Sequence, residues 1–164
     1  MDNIIKWTNL SKVLEEYAVA LRNEYQDNLI RNDHIAKGDL MNRVDYIIQK
    51  GNNEISVSLI LEDYWKYVEY DTKPHFPPVD KIMEWIRVKP VLPRPDNNGK
   101  LPTERQLAYL IGRKINEEGT TGTHDLRDAQ RRVLDDFEER VGEAITKDLS
   151  DCLTVLFSEF FTGK

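Results

Sequence analysis

The sequence predicts an α+β fold, with amphipathic helices packed on a small twisted antiparallel sheet and a helical C-terminal region. Three observations lead there. Apolar residues near the N-terminus recur at spacings of three and four. A second stretch alternates apolar with polar residues on either side of a turn signal, and a helical period returns from Asp125 almost to the end.

The first helix is expected from about Leu10 to Ile30. Leu10, Val13, Leu14, Tyr17, Leu21, Tyr25 and Leu29 form one apolar stripe, with Lys12, Glu16, Arg22 and Asp27 between them. Lys37-Gly38-Asp39 punctuates the chain. Val44 to Gln49, the turn signal Gly51-Asn52-Asn53, and the alternating Ile55, Val57, Leu59 and Leu61 then read as a β-hairpin whose apolar face packs on the first helix.

Glu62 to Tyr70 concentrates aromatic residues and suggests a short helix. Beyond Pro77-Pro78, the residues Val79, Ile82, Met83, Trp85 and Ile86 describe another helix that must end before Pro90. From Lys89 to Pro102 the four prolines and Asp96-Asn97-Asn98-Gly99 exclude helix and inner strand, leaving a long loop. Thr103-Glu104-Arg105-Gln106 is a capping box. It opens a helix with the stripe Leu107, Leu110, Ile111 and Ile115, which Gly119 is placed to end as a left-handed cap before a Thr120–Thr123 turn. The last helical stretch carries Leu126, Ala129, Val133, Phe137, Val141, Ala144, Ile145, Leu149, Cys152, Leu153 and Leu156. Gly142 suggests a break between Gly142 and Ser150.

The 164 residues suit one domain over 1–164, with a core of about 10–145 and a helical extension of about 146–164. The chain is 40% hydrophobic and 32% charged, too apolar for disorder, and its net charge of -6 argues against a DNA-binding module, which needs clustered Lys and Arg. Cys152 is the single cysteine, expected to be buried, and cannot form an internal disulfide. No apolar run is long enough to cross a membrane, and no signal peptide is evident, so a reducing intracellular setting is expected.

Candidate chemistry is sparse. Phosphate-binding glycine loops and a serine nucleophile elbow are absent from the sequence. His34, His75 and His124 lie far apart and suit loop or surface positions better than metal ligation. Asp135, Asp136, Glu138 and Glu139 fall on the polar side of a helix beside Arg131, Arg132 and Arg140, a salt-bridged solvated face. A nuclease would have to use Asp45, Glu54 or Glu62, and Lys66 around the hairpin, whose spacing fits no metal-dependent motif. The expectation is a protein without enzymatic activity and without cofactor, metal or catalytic residues.

Several segments in order resemble the tail-completion, or head–tail joining, family of tailed bacteriophages. They are Gly38-Asp39-Leu40 before the hairpin, Tyr64-Trp65-Lys66-Tyr67-Val68-Glu69-Tyr70, the amphipathic Ile82-Met83-Glu84-Trp85-Ile86, and the helix Ala108 to Thr120. The resemblance spans roughly 10 to 145. Tyr70-Asp71-Thr72 replaces a common Gly-Thr, the loop from Lys89 to Pro102 is longer than such proteins need, and the stretch after Leu149 has no counterpart.

The resemblance implies a structural virion protein, assembled in the host cytoplasm as a homo-oligomeric ring of six or twelve copies. Its neighbours would be portal, connector or tail proteins, and DNA would pass through the lumen without sequence-specific binding. An acidic lumen would let the genome slide. A ring needs two different complementary patches on each subunit. The candidates are the stiff loop at Val91, Leu92 and Arg94 and the aromatic residues Trp65, Tyr67 and Phe76. The alternative is a non-enzymatic adaptor domain that binds a partner protein through that aromatic cluster.

Overall fold

The computed structural model describes residues 5–34, 39–51, 54–89 and 91–162. Lys37 and Gly38 of the chain punctuation, Asn52 and Asn53 of the turn signal, and Pro90 of the loop lie outside them. The architecture is α+β. Its elements run α1 (Thr8–Arg31), α2 (Asp39–Asn42), β1 (Asp45–Lys50), β2 (Ile55–Ile60), α3 (Trp65–Glu69), α4 (Val79–Val88), α5 (Glu104–Glu118), α6 (Asp125–Leu134) and α7 (Phe137–Thr162). They form two compact units. Met1–Asn28, Arg43–Leu61 and Leu126–Lys164 make the first, and Leu29–Asn42 and Glu62–Asp125 the second.

In the first unit α1 buries Ser11, Ala18, Leu21, Tyr25 and Asn28 along one face. The stripe is the one its spacing foretells, completed by small and polar residues that periodicity alone does not flag. Ala129 of α6 and Ala144 of α7 are buried too, and such small side chains let helices approach closely. Contacts between α1 and the C-terminal helices run in opposite chain directions. Asn9 meets Asp148, Glu16 meets Arg140, the Tyr17 ring lies 4.3 Å from that of Phe137, and Glu24 meets Arg132. The helices are therefore antiparallel.

The register of that pair is set at its end. Asp148 accepts hydrogen bonds from the Asn9 amide (2.9 Å), the Asn9 side chain (2.7 Å) and the Leu10 amide (2.9 Å). A helix N-terminus leaves its first amides unbonded and carries partial positive charge, so this carboxylate caps α1 from another element. Burial works against the Asp148 charge, but the amides of Leu10, Asn9 and Thr8 and the Asn9 side chain together outweigh it and hold the carboxyl below its ordinary range.

The hairpin pairs Tyr46 with Leu59 and Ile48 with Val57 in antiparallel register. These four residues share the half-buried face, and the Arg22 guanidinium of α1 lies 5.7 Å from the Tyr46 ring centroid. The Gly51 amide bonds to the Glu54 carbonyl at 2.8 Å and closes the turn.

One expected break is misplaced. α7 runs without interruption through Gly142, and the helical stretch is broken earlier, at Asp135-Asp136. Glycine weakens a helix by only about 1 kcal/mol, too little to split one anchored on α1 by Phe137, Arg140 and Asp148. A Cβ at Gly142 would meet nothing within 4 Å.

The second unit packs α4 against α5. Ile82 and Ala108 are buried, and Gly112 is buried because the Phe76 and Ile82 side chains lie against it, 3.2 and 3.3 Å from where a Cβ would be. The capping box forms as read, with the Gln106 amide donating to Thr103 Oγ1 (3.3 Å) and the Thr103 amide to Gln106 Oε1 (2.9 Å). Gly119 ends α5 at φ +76°, but its ψ of −160° is extended rather than left-handed helical. The Thr120–Thr123 segment is accordingly no turn. It continues as an extended strap, bridging Thr120 to Thr72 and bonding the Thr123 amide to the Val68 carbonyl (2.9 Å).

Replacing Asp148 with alanine should lower stability by about 1–2 kcal/mol near pH 7 through loss of the cap. Because the folded pKa is depressed, that contribution is full above the unfolded value of about 3.9 and is lost as pH falls through the folded value. Urea unfolding of wild type and variant should therefore differ near neutrality and converge in acid. Gly142→Ala should instead stabilise the chain by roughly 0.5–1 kcal/mol, read as a higher urea midpoint.

Candidate functional site

A polar cluster with catalytic residue types lies in the second unit, built around the buried Asp125. Asp125 is 1% exposed and bonds to the Asn32 amide group, to His34 Nδ1 (2.8 Å) and to Thr123 Oγ1 (3.0 Å). Its burial raises the pKa, but the bonds from His34, Asn32 and Thr123 and the His34 charge prevail and lower it. Thr, His and Asp are the parts of a nucleophile relay, which needs the carboxylate on one ring nitrogen and the hydroxyl on the other. Here Thr123 Oγ1 also approaches Nδ1, at 3.4 Å, and the same hydroxyl lies 3.3 Å from the Val68 carbonyl. Both groups meet one nitrogen, so the histidine cannot take the threonine proton while Asp125 orients it. The cluster is a clasp joining the chain after α1 to the strap and to α3. His34 thus stands half-buried in the loop after α1, as expected, but with Asp125 as a partner that sequence spacing could not reveal. Among the described residues no group of three or more His, Cys, Asp or Glu side chains is placed to hold a metal ion.

The strap and its glycines tie the quoted motif segments together. Gly122 packs on the backbone of Glu69 and Tyr70, where a Cβ would lie 2.5 Å from the Glu69 carbonyl oxygen, and a Cβ on Gly119 would lie 2.1 Å from that of Thr72. The Tyr64–Tyr70 segment, the Ile82–Ile86 helix and the Ala108–Thr120 helix therefore meet in one unit.

The residues of the two expected interface patches are placed as follows. Trp65 is half-buried, its ring 5.9 Å from that of Tyr70, while Tyr67 is 59% exposed with the Lys66 ammonium 5.3 Å from its ring centroid. Phe76 packs instead on α5, 5.7 Å from the Tyr109 ring. Val91 is half-buried, and Leu92 is 91% exposed. Arg94 lines a groove of about 790 Å³ between the loop and the start of α5. Tyr109 lines the same groove, so it links Phe76 with Arg94, whereas Trp65 and Tyr67 stand on α3. The loop is internally braced, with the Asp96 carboxylate accepting the amides of Asn98 (2.9 Å) and Lys100 (2.8 Å).

Two exposed apolar sets escaped the sequence reading. Leu110, assigned to the inward stripe of α5, is 45% exposed and lines the groove beside Leu101. On α7 the residues Leu149, Leu153, Val155, Leu156 and Phe157 are exposed, Cys152 is only half-buried, and Phe160 and Phe161 reach 81% and 80% exposure. The adjacent pairs Leu156-Phe157 and Phe160-Phe161 were the available signal, since they widen an apolar face beyond one stripe.

No helix among the described residues is long and apolar enough to cross a membrane. Compared with known proteins, the chain matches no family model, no curated protein and no solved structure.

Gly119→Ala should destabilise the chain by about 2 kcal/mol or more, because the added methyl must displace the Thr72 backbone at a positive φ. Thermal unfolding checks this. An unchanged midpoint would contradict the close approach.

Proposed function

We propose that this chain is a structural subunit of the head–tail joint of a tailed bacteriophage, assembling into a closed ring through which DNA passes. The observation that carries the reading is a pair of exposed apolar sets, Leu92, Leu101 and Leu110 in the second unit and the α7 residues from Leu149 to Phe161 in the first. Soluble monomers rarely expose contiguous apolar patches above a few hundred Å², and larger ones mark sites of association. The ordered segments resembling head–tail joining proteins supply the kind of assembly, and they meet in one packed unit. Function then resides in surface shape and needs no catalytic group.

The net charge of -6 suits a channel for DNA, since phosphates repelled by the wall slide instead of adhering. Portal, connector and tail proteins would flank the ring. A second reading, an adaptor domain, draws on the exposed Tyr64, Tyr67 and Tyr70 around α3.

Light scattering on the purified chain separates the two. A ring has a discrete mass of many copies, whereas an adaptor remains a monomer or dimer. Alanine at both Leu92 and Arg94 should shift the wild-type ring toward monomer without changing helicity. Assembly unaffected by that pair would remove the loop from the interface.

A further inference from the structure

We propose that the C-terminal end of α7 in one copy docks into the groove between the proline-rich loop and α5 of the next copy. The inference rests on the ring reading above and names its interface. Three features support it, one from each patch and one from their relation.

The first is the helix end itself. Leu149, Leu153, Leu156 and Phe160 fall on one line along α7, because spacings of four and three return to the same side of a helix. Phe157 and Phe161 flank that line. At its end the Phe160 and Phe161 rings meet nearly edge-on, 5.6 Å apart at 86°, and form an exposed apolar knob.

The second is the groove. Its volume of about 790 Å³ falls within the range of sites that take up apolar groups. Leu101, Pro102, Tyr109 and Leu110 give it apolar walls, while Arg94, Lys100 and Arg105 make its rim cationic. Asp96 is the one acid lining it, and that carboxylate is already engaged by the loop amides.

The third is charge. The helix end carries Asp151 and Glu159, has no basic residue in its last turn, and bears the negative pole of the helix dipole. Helix end and groove therefore match in sign as well as in polarity. Two helix ends paired with each other would set Glu159 and Asp151 against their own kind. Since helix end and groove are different patches, their contact is heterologous, the kind of contact a ring requires, and its repetition closes when the rotation from copy to copy divides a full turn.

The test uses full-length chains with one patch disabled in each. Phe160→Asp with Phe161→Asp removes the knob, and Leu101→Asp with Leu110→Asp removes the groove. Each variant alone should be monomeric by light scattering, with wild-type helicity and thermal midpoint. Mixed together, they should form a one-to-one dimer that grows no further, because its two free patches are the disabled ones. Arg105→Glu should weaken wild-type assembly roughly tenfold, and pairing it with Glu159→Arg should restore it, an arm that leaves the apolar packing untouched.

A groove variant that forms the wild-type high-copy species while the knob variant does not would send the helix end to a different patch and overturn the docking, leaving the ring reading standing; a wild-type dimer held by helix ends alone would overturn both. Knob-dependent binding to phosphatidylcholine vesicles that ignores the groove substitutions would assign the helix end to lipid and overturn it as well. A wild-type chain that is monomeric at every concentration overturns both readings.

Discussion

The carboxylate of Asp148, seated on the first amides of α1, is the constraint on which the first unit depends. It sets the register of α1 against α7, in which the Tyr17–Phe137 contact and the Arg140–Glu16 pair fall, and the Arg132–Glu24 pair continues the antiparallel run onto α6. Because the cap lies at the start of α1, the rest of α7 continues past that helix for roughly 20 Å at 1.5 Å per residue. Of the apolar residues on that stretch, Val155 and Leu156 line a groove beside Thr8 and Asn9 at the start of α1, while Phe160 and Phe161 stay about four-fifths exposed. One hydrogen-bonded carboxylate thereby decides how much of α7 extends beyond the start of α1.

The second unit relies on close backbone approach rather than on a large core. Gly112 admits Phe76 and Ile82, Gly119 and Gly122 let the strap lie on the chain after α3, and Asp125 holds the strap to His34 and Asn32. The same unit carries the groove between the proline-rich loop and α5, where the Asp96 carboxylate braces the loop through the amides of Asn98 and Lys100. Preformed surfaces lose little entropy on binding, which favours association through a modest area.

Much of the fold was legible because its signals are local. The α1 stripe, the alternation in β2 and the Thr103–Gln106 capping box each depend on residues a few positions apart. Asp148 and Asp125 were not legible, since their partners are distant in sequence and an acid amid a helical pattern looks like any solvated one. Gly142 misled because a small intrinsic penalty was weighed without the contacts that offset it. Leu110, Leu149, Leu153 and Leu156 show the limit of periodicity. It reveals that a helix has an apolar face, but not whether its own chain covers that face. Of the expected contact residues, Leu92 and Arg94 proved exposed on one loop, whereas Phe76 joined α5 and left Trp65 and Tyr67 apart.

Native mass spectrometry of the purified full-length chain across a range of concentrations bears most directly on the central claim that these surfaces exist to join copies into a closed circle. The account requires one dominant high-copy species with no longer ladder above it, since closure leaves no free patch. A single-subunit mass throughout, or an open-ended series of ever larger species, would contradict it.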